Sequence, residues 1–508
     1  MIKTTALWGG GTGPTPGEEQ AKWITKLVRE DLASQQRKNM EDGERYYCFA
    51  QDVMTKDFRR SRLSETQEDD QTERLEVFIN PNRSNHHVVN GFHHLLVDQK
   101  VSYLLGRKPV IGTRERNRDY GRLLEEWAGE RFQTLFQELL TGASNKGYEC
   151  LHFYYDKRGK LQATLLPAEG VIPIYVSGEE GTLAAVVRYY EEETQTGERI
   201  HRAEWWSGAY VAYYKGKESR FFLEEREDNP APHWWKIGKR GREKGAWGRP
   251  PFVVLKNNRQ GRTDLEGIKG LIDAYDLISS EGVNTLLDLV DLYWVIQGYG
   301  GETAAAITRK LQINKAVHIS DANGSVEAKQ TELSMAGRLD FLKMLRRDIF
   351  QFGQGVDIDV DRMGNSPSGV SLQYQYTLLD LKADGIAAQL KEAMREYFGF
   401  LTEDYNRKYK TRFQAEEIRI ELRKNRITND FETVEMISMS KDLLGRKTLI
   451  SKHPFVEEVN AEEELREREK EEAHEAKHSM ERGAGKGTSN CGKGTGEPTE
   501  RGGDKTSF

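Results

Sequence analysis

The sequence predicts an α+β fold, mainly helical, and three observations predict it. Two long segments, from Gly267 and from Ser334, carry apolar residues three or four apart, the mark of an amphipathic helix. The block from Tyr148 to Leu223 instead alternates with period two and is punctuated by turn residues. A third long helical stretch, Val370–Lys410, follows a loop of small residues. Strands gathered in one block, rather than interleaved with helices, point away from a parallel α/β sheet.

Taken in order, residues 1–17 are rich in Gly, Pro and Thr and read as a flexible arm. Glu18–Met40 reads as one helix with Trp23, Ile24, Leu27 and Val28 facing inward, and the tyrosine-rich RYYCF follows at Arg45. Ser61–Arg74 reads as a polar, acidic connector. Val88–Leu105 and Arg122–Lys146 are helical, with Gly106 closing the first and Pro109 just beyond it. Tyr148–Tyr155, the turn DKRGK and Leu161–Leu166 form a hairpin pattern. Leu183–Tyr190, Arg199–Trp206, Tyr210–Tyr214 and Arg220–Leu223 extend it to an antiparallel layer of about six short strands. Pro230–Pro251 reads as irregular, and Phe252–Leu255 as one more strand.

The first long helix, 268–291, carries Leu271, Tyr275, Ile278, Leu286 and Val290 on its stripe. The second, 331–352 with its pattern starting at Ser334, carries Met335, Leu339, Leu342 and Ile349. Each is roughly 30–35 Å long at 1.5 Å per residue. Between them, 292–330 holds an aromatic patch (Tyr293, Trp294, Tyr299), a small helix at Thr303–Leu311 and strands at Ala316–Ile319 and Ser325–Ala328. The loop is Gly353–Gly369, and Gly385 and Gly399 mark points where the following helix can bend. Ile418–Leu422 reads as a strand, Asn429–Leu444 and Lys447–Ser451 as helices, and Asn460–Arg482 as a solvated, charge-paired helix. The Gly-, Lys- and Thr-rich stretch from Gly483 on reads as disordered. No internal repeat stands out.

Composition narrows the function. With 508 residues the soft expectation is about three domains. Hydrophobic residues make up 37% and charged residues 31%, with a net charge of −6. That balance argues against coating nucleic acid by bulk electrostatics. The three cysteines, Cys48, Cys150 and Cys491, form no CxxC pair, so neither a zinc site nor a disulfide framework is indicated and a reducing compartment is expected. No apolar run reaches the ~18–20 residues of a membrane span, and the start lacks a signal-peptide core. The chain is expected to be made and kept in cytoplasm unless something else carries it.

Motifs for chemistry fail one after another. GAGKGT at Gly483 echoes a phosphate-binding loop, but Met480 stands where that pattern needs Gly and no strand leads in. HHVVNGFHH places His86, His87, His93 and His94 close together; in a helix His87 and His94 would share a face, and so would His94 and Asp98, which suits either a metal or an exposed helix start. DIDVDRMGN at Asp357 opens like a calcium loop, yet Arg362 and Ser368 occupy the positions that need Gly and Glu. The Trp234–Trp247 segment, with Lys236, Lys239, Arg240, Arg242 and Lys244, reads either as a charged surface loop or as a contact for nucleic acid or a partner. No serine nucleophile elbow is present, and no catalytic residue, metal or cofactor is expected.

Five stretches in order carry a family resemblance. They are VDQKVSYLLGRKPV from Val97, PPFVVLKNNRQGRTDLEGIKGLIDAYDLISSEGVN from Pro250, GNSPSGVSLQYQYTLLDLKA from Gly364, IELRKNRITNDFETVEMI from Ile420 and LLGRKTLISKHPFVEEVNAEEELREREKEE from Leu443. Together they resemble the portal protein of tailed bacteriophages, of the siphophage head-to-tail connector type. The resemblance implies a homo-oligomeric ring, usually of twelve subunits, at one vertex of the phage head. It implies double-stranded DNA passing through the channel, and a terminase, a head-tail adaptor and the major capsid or scaffolding protein as partners, with no membrane.

The family's parts lay out along this chain. The arm is 1–17 and the wing 18–267, helices first and then a β-layer. Stem helices at 268–291 and 331–352 enclose the clip, 292–330, where Tyr293, Trp294 and Tyr299 would dock the adaptor. A tunnel loop at 353–369 reaches the DNA, a long bent wing helix covers 370–410, a helical crown 411–482 and a tail 483–508. Arg362, Met363, Asn365 and Ser366 are then the residues expected near DNA. Asp357, Asp359 and Asp361 outweigh Arg362 in that loop. A ring repeats every tunnel charge, and each neutralised phosphate adds about 0.9 to the salt slope, so a densely basic tunnel would hold DNA rather than let it slide. Gly353, Gly355, Gly364 and Gly369 are expected to give the loop freedom. Stem stripes through Leu271, Tyr275, Ile278, Leu286, Leu339 and Leu342 need neighbouring subunits to cover them. Two other readings stay open: a divalent-ion-dependent DNA-processing enzyme using Asp357, Asp359 and Asp361, which lacks an evident base, and a scaffold that binds partners through the aromatic insert.

Overall fold

The structure is a computed structural model that describes residues 14–65, 74–79, 83–113, 117–176, 181–217, 220–238, 241–288, 293–297, 325–329, 335–357, 369–425, 430–456 and 465–470. The chain divides into two compact units, one of residues 1–366 and 373–426, the other of 367–372 and 427–508.

The large unit opens with two helices, α1 (Glu18–Leu32) and α2 (Gln35–Tyr47), where one was expected. The break falls at Ser34, whose hydroxyl accepts the Arg37 N–H as an N-cap. The expected connector at 61–74 instead contributes to two paired strands, β1 (Arg60–Glu65) and β2 (Arg74–Ile79), whose charged residues hide the alternation. Helix α3 (Phe92–Leu105) starts later than expected. Strand β3 (Val110–Thr113) follows. The third expected helix is also two, α4 (Arg118–Trp127) and α5 (Glu130–Lys146), parted at Ala128 and Gly129.

The strand block forms two sheets rather than one layer. Strands β4 (Tyr148–Tyr155) and β5 (Leu161–Leu166) join β13 (Phe252–Lys256) in a three-stranded sheet. Strands β6 (Val171–Tyr175), β7 (Leu183–Glu193), β8 (Arg199–Trp206), β9 (Val211–Lys217) and β10 (Arg220–Leu223) form an antiparallel sheet in the order β10-β9-β8-β7-β6. Within the stretch expected to be irregular, β11 (Trp234–Gly238) and β12 (Gly241–Gly245) pair as a ribbon.

Period-two alternation explains the layering. On the five-stranded sheet, Ile172, Ile174, Ala185, Val187, Ala203, Trp205, Ala212 and Tyr214 meet Ile24, Leu27 and Val28 of α1. The alternate residues Val171, Val186, Trp206 and Val211 meet Cys150 and Phe252 of the second sheet. That sheet's other face, with Leu151, Phe153, Val253 and Leu255, packs on Phe132, Phe136 and Leu140 of α5 and on the long helix α8 (Gly369–Tyr409) through Leu390, Met394 and Phe398. Helix α8 runs unbroken through Gly385 and Gly399. Strand β16 (Ile418–Glu421) pairs antiparallel with β3. The segment expected to open the crown therefore folds with the large unit as far as Arg426.

Two more helices, α6 (Lys269–Asp288) and α7 (Met335–Phe352), pack against each other. The strands β14 (Tyr293–Gln297) and β15 (Ser325–Lys329) pair antiparallel between them in sequence. The expected helix at 303–311 and strand at 316–319 lie outside the described residues. The smaller unit contains α9 (Asp430–Met439) and α10 (Arg446–Lys452), with Ile450 buried and Met436, Met439, Leu443 and Phe455 exposed. Residues 465–470 are helical and exposed.

Two glycines report the packing with opposite sign. A Cβ at Gly43 of α2 would fall on the Asn145 carbonyl of α5, whereas one at Gly121 of α4 meets nothing. Thermal unfolding should show Gly43→Ala destabilised by about 1–3 kcal/mol. The same measurement should show Gly121→Ala stabilised by about 0.5–1 kcal/mol.

Candidate functional site

The α6–α7 hairpin buries one side and leaves another uncovered. Ile268 and Ile272 at the start of α6, with Ile349 and Phe350 at the end of α7, close a small core with Tyr46, Phe92, Leu96 and Leu265. The Phe92 ring stands edge-on to Tyr275 at 4.9 Å and to Phe350 at 6.0 Å. Farther along, Leu286 is 51% exposed and Leu339 52%, and Val283, Leu287, Phe341 and Met344 are exposed with them. Covering the bare half of each such side chain is worth on the order of 1 kcal/mol.

The buried face of α6 is polar. Asp276, Ser280 and Asn284, spaced one helical turn apart, are buried, and Asp288 continues the row. An extended segment lies against them, and its alternate N–H groups donate to those side chains in turn. Ser84 N reaches Asp288 Oδ1 at 2.8 Å, His86 N reaches Asn284 Oδ1 at 2.7 Å, Val88 N reaches Ser280 Oγ at 2.9 Å and Asn90 N reaches Asp276 Oδ1 at 3.0 Å. Asn284 Nδ2 donates back to the His86 carbonyl at 3.0 Å. A strand's two-residue repeat of ~6.6–6.8 Å nearly matches a helix's four-residue rise of ~6.0 Å, so short side chains complete a ladder that no strand supplies. This ladder is also why the helix expected from Val88 begins only at Phe92.

The histidine cluster dissolves with that change. His87 lies in the extended segment, its Nε2 at 2.7 Å from the Lys56 carbonyl, and does not share a helix face with His94. His94 pairs with Asp98 at 3.2 Å, as its spacing predicts. His93 is buried against Asn145, and burial pushes its imidazole down to about 4. Among the described residues no group of three or more His, Cys, Asp or Glu stands close enough to hold a metal ion.

The second feature is the root of the 353–369 loop. Lys100 of α3 is buried, and its ammonium donates to Ser144 Oγ at 3.0 Å, to Asn257 Oδ1 and to Asp264 Oδ2 at 3.0 Å. Asp264 Oδ2 also lies 3.1 Å from the ammonium of Lys382 on α8, and Lys382 donates to the Gly353 carbonyl at 2.9 Å. Burial alone would raise the Asp264 carboxyl; Lys100 and Lys382 outweigh it and hold the group well below the usual carboxylate range. Burial pulls Lys100 down to about 8.

Beyond Gly353 the chain is held residue by residue. Gln99 brackets Val356 with its side-chain amide, donating to the carbonyl at 2.8 Å and accepting the N–H at 2.9 Å. Arg346 holds Asp357 with Nη2 at 2.7 Å. Gly353 and Gly355 were expected to loosen the loop, but the structure gives them another role. A Cβ at Gly355 would fall on Leu96 Cδ2, and one at Gly353 would sit 2.6 Å from Ile349 O, so both are close-packing positions. Gln354 between them takes a left-handed φ of 55°.

Asp357 is thus the one described member of the expected acidic trio, and its carboxylate is engaged by Arg346. Asp359, Asp361, Arg362, Met363, Asn365, Ser366 and Gly364 lie outside the described residues, as does Tyr299. Tyr293 and Trp294 fall in β14, opposite Lys329 and Ala328. Of the stem residues, Leu271 and Tyr275 pack on the small core inside the subunit, Ile278 and Leu342 are half-buried, and Leu286 and Leu339 are exposed. The Trp234–Trp247 segment is rooted by Arg407, whose guanidinium lies 4.3 Å and 4.6 Å from the two rings. Sequence reading missed Lys100, Asn257, Asp264 and Lys382. Of these only Lys100 carried a local signal, as a lysine inside the apolar run VDQKVSYLL.

The hairpin thus has a polar, occupied face and a bare apolar flank, and stands on a layered α+β body. Residues 30–478 match the family described as "Phage portal protein, SPP1 Gp6-like". The chain belongs to that family. It is similar to the portal protein of Bacillus phage SPP1, 28% identical over 459 residues covering 89% of this chain and 88% of that one. It is also similar to the portal protein of Clostridium phage phiCD119, 26% identical over 410 residues covering 76% and 85%. Among solved structures, a chain of "Neck of empty GTA particle computed with C6 symmetry" matches with a TM-score of 0.41 and 11% identity, covering 71% of this chain and 88% of that one. The role is that of a phage portal protein: a structural, non-enzymatic assembly component of the virion, a ring oligomer at the capsid vertex. Four of the five stretches that carry the resemblance meet around α3 and α8, through Lys100, Asp264, Lys382 and the pairing of Lys424 with Asp380 at 2.8 Å. No helix among the described residues is long and apolar enough to cross a membrane.

Asp276 gives the ladder a pH signature. Burial raises its carboxyl to about 6, its Oδ1 accepts from Asn90, and its Oδ2 has no partner. Between the unfolded value of 3.8 and about 6 the folded chain holds a proton the unfolded chain has released, so this group's contribution to stability falls as pH rises through that window. The Tm difference of Asp276→Asn minus wild type should therefore grow more positive from pH 4 to pH 7 and be level above it. A difference that is flat across the whole range would contradict this.

Proposed function

We propose that this chain builds a ring, of twelve subunits in the capsid, through which double-stranded DNA is packaged and ejected, and on which terminase and a head-tail adaptor dock. In this reading 18–267 with 370–425 is the wing, 268–291 and 331–352 are the stem helices, and 292–330 is the clip. The crown then starts after Arg426. Tyr293, Trp294 and Tyr299 dock the adaptor, the crown faces the capsid interior and its capsid or scaffolding partner, and 353–369 is the tunnel loop with Arg362, Met363, Asn365 and Ser366 nearest the DNA. Assembly takes place in the host cytoplasm. The arm at 1–17 and the tail from 483 take no assigned part.

The observation that supports this most is the bare flank of the stem. Leu286 on α6 and Leu339 on α7 are each about half exposed, on helices whose packed residues lie toward the small core at the hairpin's base. A heterologous contact that closes into a ring would cover both. The buried polar ladder on α6 leaves that flank, rather than the ladder face, for a neighbour. Arg346 engages Asp357, the one described carboxylate of the trio, and membership of a family of structural assembly components speaks against the enzyme reading.

Electron microscopy of the purified full chain, with mass by light scattering, tests the ring directly: an annulus with an axial hole wide enough for a duplex is expected, and monomers that cut DNA with added magnesium or manganese would overturn it. Leu286→Asp should abolish rings while leaving the melting of the wing within a few degrees of wild type; full-size rings of this variant would contradict the stem interface. Deleting residues 358–368 should leave rings intact and stop DNA packaging or retention. Normally filled particles from the deletion would remove the tunnel-loop assignment.

A further inference from the structure

Two buried cations share one carboxylate at the root of the loop. Lys100 and Lys382 reach the same oxygen, Asp264 Oδ2, at 3.0 Å and 3.1 Å. Lys100 by itself neutralises Asp264, and its three donors are all used within the body, on Ser144, Asn257 and Asp264. Asp264 is further tied by Asn257 Nδ2 at 2.8 Å and by its own N–H to the Ser144 carbonyl at 2.8 Å. Lys382 is therefore not needed to balance charge. Its side chain is 9% exposed, so it adds a second nearly buried cation, and an uncompensated buried charge is costly.

What Lys382 gains is the Gly353 carbonyl. Gly353 stands just past the end of α7, and its N–H closes the helix on Ile349 O at 2.8 Å. Carbonyls at a helix C-terminus carry the negative end of the helix dipole, so a cation there is favoured. Lys382 itself sits thirteen residues beyond Gly369, where α8 begins, about 20 Å along that helix. One side chain thus joins the two helices that flank the 353–369 loop, and fastens both to the body through Asp264. From Gly353 onward the left-handed Gln354, the packed Gly355 and the Gln99 bracket on Val356 hold the path of the chain as far as Val356.

We propose that Lys382 is a positioning residue for residues 353–357: a clasp between α8, the end of α7 and Asp264 that fixes the path of the chain just past α7. The consequence for DNA rests on the tunnel-loop reading above; the positioning does not.

The test compares Lys382→Met with Lys100→Met in the full-length protein, by hydrogen exchange of peptides covering 353–357 and by thermal unfolding. Lys382→Met should speed exchange at Gly355 and Val356 at least tenfold and move the Tm by no more than a few degrees. Lys100→Met should lower the Tm markedly, because it strips three bonds from the body. Lys382→Gln, which keeps a donor for Gly353, should fall between Lys382→Met and wild type and serves if the methionine variant does not fold. Unchanged exchange at 353–357 overturns the clasp. So does exchange that rises across the whole wing in step with a lower Tm, which would make Lys382 an ordinary core residue. DNA retention by particles carrying Lys382→Met separates the two readings: faster local exchange with normal retention upholds the clasp and removes the tunnel role of the loop.

Discussion

The buried Asp264 carboxylate is the constraint on which the large unit depends. A charge taken out of water must be met by groups brought from elsewhere. Here they come from α3, α5, the turn after β13, and α8. Those segments are far apart in sequence, so meeting this one requirement with Lys100 and Asn257 ties the N-terminal helices to the second sheet, and Lys382 brings the long helix to the same point. The aromatic packing of Phe132, Phe136, Phe153, Tyr397, Phe398 and Phe400 supplies the bulk of that interface. Dispersion and area burial of this kind are forgiving of small sliding motions, whereas a short bond to a buried charge is not.

The α6–α7 hairpin follows a different logic. Its base is apolar and closed within the chain, its inner face is polar and paired with an extended segment, and its flank is bare. The ladder matters because side-chain acceptors standing in for a strand pair the N–H groups of Ser84, His86, Val88 and Asn90. Apolar burial on α6 is confined to its start, at Ile272, while Val283, Leu286 and Leu287 farther along are exposed.

The loop root shows why glycine is easily misread. Gly353 and Gly355 look like hinges in a sequence, since glycine is permissive. In the structure they are places where α3 comes too close for a Cβ. The same residue type serves mobility or rigidity depending on what stands opposite, and nothing local tells the two apart. The basic Trp-rich segment is a parallel case. It reads as irregular because its two strands are short and glycine-bounded, and Arg407 of α8, distant in sequence, lies over both the Trp234 and the Trp247 ring.

Periodicity alone determined the existence and nature of the long elements: α3, α6, α7, α8, the hairpin of β4 and β5, and strands β7 to β10 are legible within a few residues of their ends. Local chemistry, namely capping and turn residues, accounts for much of what was misplaced. Ser34 and Gly129 split expected helices, because a hydroxyl cap or a glycine costs a helix less at its end than in its middle. The order of five stretches carried the family. What only the tertiary structure decided was everything that depends on a partner distant in sequence: the division of the strands into two sheets, the pairing of β16 with β3, the ladder on α6 and the cluster of Lys100, Asp264 and Lys382. A carboxylate at position 264 or a lysine at 382 looks like solvent-facing charge in the sequence, because burial is a property of what surrounds a residue and the surroundings are assembled from the whole chain.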